Sequence, residues 1–255
     1  MNENLAIVTG ASSGIGEAFA RELQRRQFSL ILVARRHDRL AALQAELASS
    51  SVDLMVADLS SAEGVASVAR RLALGGVSLL VNNAGAGYRG DVSGQPDQNI
   101  SQLVRLNLEA PMRLTRAALG PMVARKQGTI INVASMGAFQ PVPYLNVYAA
   151  TKAGLLSFTE ALADELVGTG VNVQALCPGN IPTGFQGIAG TKGSRFDKTP
   201  SMTALSVVQS SLDAALSGGA TLHLPGRLDR LSIFAQRLLP RFVARRIAGS
   251  LIKPD

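Results

Sequence analysis

The chain has 255 residues, 47% apolar and 17% charged, with a formal charge of +7. Those values describe a soluble globular protein with room for one large core and exclude a disordered chain; no apolar run approaches the roughly 18 residues a membrane span needs. The excess charge is local: residues 225–255 carry seven Lys/Arg against Asp229 and Asp255, so the body is nearly balanced, which with aromatics at 4% argues against nucleic acid as a partner.

Cys177 is the single cysteine, so no internal disulfide can form, which fits a reducing compartment. His37 and His223 are the only histidines, and no Cys/His/Asp spacing predicts a metal site. The opening "MNENLAIVTG" lacks the basic segment and long apolar stretch of a signal peptide, so the expected location is cytoplasmic.

In chain order, residues 4–9 predict a strand, and "TGASSGIG" at 9–16 follows it. Gly10-Ala11-Ser12-Ser13-Gly14 fits G-x-S-x-G, the turn that presents a nucleophilic serine in α/β hydrolases. With a helix predicted over 14–27, Gly10, Gly14 and Gly16 equally form a turn that lets backbone approach a phosphate, Ser12 and Ser13 adding hydroxyl donors. A hydrolase needs a downstream histidine base, and only His223, in a short edge strand near 221–224, stands far enough along. The strand 29–34 ends in Val33-Ala34-Arg35-Arg36, where a site selective for NAD would carry an acid to accept the ribose 2′-hydroxyl. Arg35 is placed to take a 2′-phosphate instead; the bland alternative is a solvated arginine pair at a helix start.

A helix over 38–48 and a strand over 52–57 precede Asp58, which as an acid after a strand also suits a helix N-cap. A helix over 61–73 and a strand over 77–81 lead to Asn82-Asn83-Ala84-Gly85. Gly85–Gly90 fits G-x-G-x-x-G, but no helix is predicted after it, so it lacks a phosphate-binding helix terminus. A helix over 97–124 contains Asn107, and a strand over 128–134 ends at Ser135. On the helix over 147–168, Tyr148 and Lys152 share a face, where an ammonium would lower the phenol toward a working acid/base. The last long strand, 171–176, runs into Pro178-Gly179-Asn180-Ile181-Pro182-Thr183, and residues 179–200 read as a mobile loop.

The strands are continuous apolar runs alternating with helices, which predicts an α/β fold: a doubly wound parallel sheet with helices on both faces, in one domain. Residues 1–225 form its body and 226–255 a basic amphipathic helical extension of it. There Leu231, Phe234, Ala235, Leu238 and Leu239 recur at helical spacing, and Pro240 should split the segment into two helices. A cap on the catalytic body is favoured over an oligomer contact or a membrane-surface element.

The ordered series, from the glycine turn through Asn83-Ala84-Gly85, Asn107, Ser135, Tyr148 and Lys152 to Pro178–Thr183, resembles the short-chain dehydrogenase/reductase family from residue 5 to about 225. The resemblance implies a Rossmann-like fold and hydride transfer between a nicotinamide and a carbonyl or secondary alcohol. It makes Tyr148 the acid/base, Ser135 the group orienting substrate, Lys152 a holder of the nicotinamide ribose and Asn107 a residue keeping a relay water. Gly10, Ser12, Ser13, Gly14, Ile15 and Gly16 would form the cofactor-binding turn, Gly10 and Gly14 letting backbone approach the pyrophosphate and Gly16 letting the helix pack closely on the sheet. Asp58 would meet the adenine ring, Asn83 and Gly85 the adenine ribose, and Ile181 and Thr183 the carboxamide, with Ala84, Pro178 and Gly179 also in the cofactor site. With Arg35, the expected cofactor is NADP(H) rather than NAD(H), although Ser13 replaces the basic residue that NADP-selective members carry before the second glycine. Ser135, Met136, Phe139, Tyr144 and Phe185 are expected to wall an apolar substrate pocket. A homodimer or homotetramer is expected; the alternative function is a non-catalytic dinucleotide sensor or scaffold, which would not need Tyr148 and Lys152.

Overall fold

The apolar runs pair as seven parallel strands in the order β3-β2-β1-β4-β5-β6-β7. The strands are β1 (Leu5–Thr9), β2 (Ser29–Ala34), β3 (Val52–Val56), β4 (Val77–Asn82), β5 (Gly128–Val133), β6 (Val171–Leu176) and β7 (Leu222–His223). The computed structural model describes residues 4–47, 51–199 and 201–254. The expected ends of the second helix at 48, of the loop at 200 and of the tail at 255 lie outside them.

Burial on both faces is why the central strands read as apolar runs: all six residues of β5 are buried, whereas the edge strand β3 buries only Val52. Alternate residues of β1 serve two layers. Ala6 and Val8 pack with α1 (Gly14–Arg25), α2 (His37–Leu47) and α8 (Ala204–Leu216) through Phe19, Leu40 and Leu212. Ile7 packs with α3 (Ala62–Ala73), α5 (Ala110–Ala124) and α6 (Asn146–Glu165) through Val68, Leu114 and Leu162. The strand order reverses between β1 and β4, and in doubly wound sheets a crevice opens at the carboxyl ends there.

Three segments differ from expectation. The helix expected over 97–124 is α4 (Asp97–Val104), a π-helical turn at Arg105–Glu109, and then α5. The loop expected over 179–200 contains the short helix α7 (Phe185–Ala189) and a 3-10 turn at Phe196–Lys198. The helix α8 was not expected, because polar residues take core positions on it: Ser211 is fully buried and donates to Gln174 Oε1 (2.6 Å). Its start is nonetheless ordinary, with Thr203 Oγ1 accepting from Ser206 N (3.1 Å). Pro240 does divide the tail, into α9 (Arg227–Leu238) and α10 (Arg241–Ile252).

The contact between α1 and α8 carries a pH prediction. Glu22, only 2% exposed, takes Arg25 and Arg26 at 2.7 Å each and Gln209 of α8 at 3.3 Å. The Arg25 hydrogen bond outweighs burial and, with Arg26, holds the carboxyl at about 2. A carboxyl depressed in the fold stabilises above its unfolded range, and that contribution fades as pH falls toward the folded value. Glu22→Gln should therefore cost about 2–3 kcal/mol near neutral pH, with the difference from wild type shrinking toward pH 2. Urea melts of both proteins across that range check it.

Candidate active site

The turn after β1 can be built only of glycine where it is built of glycine. Gly10 has φ +67°, and a β-carbon there would stand 2.8 Å from Ala84 Cα; one at Gly16 would stand 2.3 Å from Gly10 O. Gly14, at φ +60°, faces Thr183. Ser13 caps α1 with its backbone and makes no side-chain cap bond, which leaves its hydroxyl and the first-turn N–H groups of α1 to the crevice. Thr9, which the sequence did not single out, joins the two switch-point strands. Its Oγ1 accepts from Asn83 N (2.9 Å) and Ala84 N (3.1 Å) and donates to Val81 O (3.2 Å).

The crevice deepens into one cavity of about 850 Å³. At one end it is lined by Ser12, Ser13, Gly14, Ile15, Arg35, Arg36 and Asp58. Arg35 and Arg36 are exposed, and Arg36 Nη2 donates to Ser12 Oγ (3.0 Å) and Ser12 O (3.3 Å). Asp58 does not cap α3; Ser61 does, accepting from Gly64 N (3.0 Å). Burial opposes the charge of Asp58, but Ser60 N (2.9 Å), Ser60 Oγ (2.7 Å) and the Arg35 charge outweigh it, so the carboxyl stays below its usual range.

At the other end Ser135, Tyr148 and Lys152 line the same space. Ser135 Oγ caps the turn after β5, accepting from Gly137 N (3.0 Å). Lys152 is 4% exposed, donates 2.7 Å to Val133 O and is lowered by burial to about 8. Tyr148 runs opposite to expectation. Desolvation pushes its phenol up to about 12 against the pull of the Ser135 hydroxyl, and Lys152 Nζ stands 5.8 Å from the ring centroid, engaged elsewhere. The phenol is therefore protonated near neutral pH.

Asn107 sits behind the wall rather than on it, fully buried in the π-helical turn. Its Oδ1 accepts from Ala86 N (3.0 Å), and its Nδ2 donates to Ala86 O (2.9 Å) and Thr151 Oγ1 (3.2 Å). A β-carbon at Gly85 would lie 3.3 Å from Asn107 Oδ1 and 3.5 Å from Lys152 Nζ, so the bare backbone there lets both groups come close to it. Pro178, Gly179, Ile181 and Thr183 line the cavity, as does Asn180. Asn180 ties the loop down by donating to Phe196 O (3.2 Å) and Thr199 O (3.2 Å). Gln186 of α7 accepts from Thr183 N (2.9 Å) and donates to Ile181 O.

Of the expected substrate residues, Met136 and Phe185 line the cavity, the Phe185 ring lying 5.5 Å from that of Tyr148. Phe139 and Tyr144 do not line it. Phe139 packs against the buried cluster of Ala134, Leu156, Ala175 and Cys177, and Tyr144, at φ +65°, packs against the cluster that includes Ala248 and Ile252 of α10. Their places are taken by Val142 and Leu145 and by tail residues including Leu239, Ile247 and Leu251. Asp229 of α9 also lines the cavity, raised by burial while the backbone N–H of Gly179 opposes the shift. A β-carbon at Gly179 would meet its Oδ1 at 2.7 Å.

The two alternative motifs, G-x-S-x-G with His223 and the second glycine series, also have structural places. His223 lies on the edge strand, with Nε2 2.8 Å from Ser210 Oγ, and is not part of the cavity, so no histidine base serves a G-x-S-x-G nucleophile. In Gly85–Gly90, Gly87 packs where a β-carbon would meet Ala189 of α7 at 2.8 Å. Arg89 ties α7 to the tail by donating to Gly190 O (3.2 Å), Ile252 O (2.5 Å) and Lys253 O (2.5 Å).

The family model of short chain dehydrogenases matches residues 4–192. Ketoacyl reductase HetN from Nostoc sp. is 35% identical over 180 residues, which span 69% of this chain and 62% of that protein. A short-chain dehydrogenase from Sphingobium yanoikuyae, solved in complex with NADPH, is 33% identical with a TM-score of 0.82, covering 92% of this chain and 94% of its own. The bulky-bulky ketone specific alcohol dehydrogenase from Comamonas testosteroni is 31% identical with a TM-score of 0.78, covering 93% and 94%.

Proposed function

This chain belongs to the short-chain dehydrogenase family of nicotinamide-dependent oxidoreductases, and from that premise we propose that it reduces a hydrophobic ketone or aldehyde with NADPH. The carrying observation is a single cavity with a glycine-built phosphate cradle at one end and Ser135, Tyr148 and Lys152 at the other. The cradle and the α1 terminus would hold the pyrophosphate, and Arg35 the 2′-phosphate beside Arg36. Asp58 and Asn83–Gly85 would hold the adenosine half, and Pro178–Thr183 the carboxamide. When bound, NADPH supplies the hydride.

The protein's part is positioning and proton supply. Ser135 donates a hydrogen bond that orients the substrate oxygen, and Tyr148, protonated near neutral pH, delivers the proton to it. Lys152, charged below about 8, holds the ribose hydroxyls and places positive charge where the oxygen becomes negative. Asn107 braces Ala86 and the Tyr148 helix from behind, and the π-helical turn that carries it is a form found often at functional sites. Met136, Val142, Leu145, Phe185 and the tail residues form apolar walls, which favour a bulky hydrophobic carbonyl; the NADPH complex and the bulky-ketone enzyme among similar structures support the same reading.

A panel of aliphatic and aromatic ketones and aldehydes, followed by the nicotinamide absorbance with NADPH, tests it. Turnover should rise with substrate hydrophobicity. Tight NADPH binding with no turnover across the panel would point to a sensor instead.

A further inference from the structure

The two tail helices have one face on the cavity and another that is exposed and packs against no other element among the described residues. On α9, Asp229, Ser232, Gln236 and neighbouring Leu239 line the cavity and Ile233 is buried. Leu231, Phe234 and Leu238, spaced i, i+3 and i+7, are 63%, 62% and 73% exposed, and Phe242 at the start of α10 continues the strip. Single exposed leucines are ordinary, but a contiguous apolar strip on a helix marks a contact surface. Around it stand the exposed guanidinium groups of Arg227, Arg230, Arg241, Arg245 and Arg246. Asp229, the one acid on α9 and α10, lies at the cavity.

Charge identifies the occupant. A second copy docked through this strip about a two-fold axis would bring one wholly basic border against another, with no acid on either to answer it. An anionic lipid surface answers both features at once: acyl chains for the apolar strip and phosphate headgroups for its basic border. Each helix is 12 residues long, and no described helix is long and apolar enough to cross a membrane, so the pair would lie in the interface plane. Leu228, Leu239 and Ile247 are exposed and also line the cavity, so the exposed apolar surface of the tail is continuous with the cavity lining.

We propose that the strip formed by Leu231, Phe234, Leu238 and Phe242 docks this protein on an anionic membrane surface, and that its apolar carbonyl substrate enters the cavity from that surface. The docking stands on the tail alone; the substrate route rests on the reductase reading above. The test is co-sedimentation of the full chain with vesicles of phosphatidylcholine plus phosphatidylglycerol, against phosphatidylcholine alone, with light scattering in parallel.

Wild type should pellet with the anionic vesicles and much less with the neutral ones. Leu231→Asn/Phe234→Asn/Leu238→Asn should lose vesicle affinity by about tenfold or more, yet reduce a water-soluble ketone as wild type does. Arg241→Gln/Arg245→Gln/Arg246→Gln should erase the preference for anionic lipid. Wild type remaining in the supernatant with anionic vesicles overturns the proposal. So does an asparagine variant that keeps wild-type vesicle affinity, or one that only falls from dimer to monomer, which would give the strip to a second copy. Vesicle binding needs no cofactor, so it can hold while the reductase reading fails, and the reverse.

Discussion

Tyr148→Phe is expected to lower kcat for carbonyl reduction by about 10²–10⁴-fold, the range typical of a lost general acid, while leaving NADPH affinity and melting temperature near wild type. The substitution removes one oxygen. The ring stays in contact with Phe185 and with the cluster of Val142, Leu145 and Ala149, so neither fold nor cofactor cradle has reason to move. The pH profile carries a second signature. Tyr148 lies at about 12 and stays protonated through the working range, whereas Lys152 at about 8 loses its charge within reach. Reductive kcat/KM should be level below about 8 and fall above it as the lysine deprotonates. A variant with near-wild-type kcat would remove Tyr148 from the chemistry.

Arg35→Ala should weaken NADPH by roughly tenfold and barely touch NADH. A charge-assisted contact to a 2′-phosphate contributes on the order of 1.5–3 kcal/mol, and solvent around an exposed guanidinium keeps it at the lower end. The adjoining Arg36 is already drawn toward Ser12 and is the lesser contributor. Ala34→Asp with Arg35→Ala should go further and invert the preference, because a carboxylate at the end of β2 repels the phosphate and accepts a free ribose hydroxyl. The comparison is of KM for both cofactors at one fixed ionic strength, since salt screens the contact. Losses of equal size on NADH and NADPH would contradict the assignment.

What was readable in advance follows from which residues interact locally. The central strands could be read because burial on both faces leaves apolar runs, and the glycine turn because positive φ at Gly10 and Gly14 admits little else. Tyr148 and Lys152 share a helix, so spacing alone sets them on one face; their proton affinities depend on burial by distant elements, and the direction for Tyr148 came out reversed. Phe139 and Tyr144 were expected in the pocket because they follow Ser135 closely, yet the chain turns at Met136–Ala138 and carries them to other clusters. Helix α8 hid behind the buried pair Ser211–Gln174, whose partners lie 37 positions apart. The tail's share of the cavity wall was invisible for the same reason: residues 228–252 meet the body only in the fold.

Central to the account is that this cavity sets a carbonyl carbon against a nicotinamide hydride and the proton of Tyr148. The direct measurement is a single turnover with NADPH deuterated at both C4 positions and the best ketone of the panel, the alcohol being examined by mass spectrometry. One deuterium per molecule on the carbinol carbon is predicted, appearing at a much reduced rate in Tyr148→Phe. NADPH oxidised without deuterium in the alcohol, or none oxidised at all by a protein that binds it, would contradict the account.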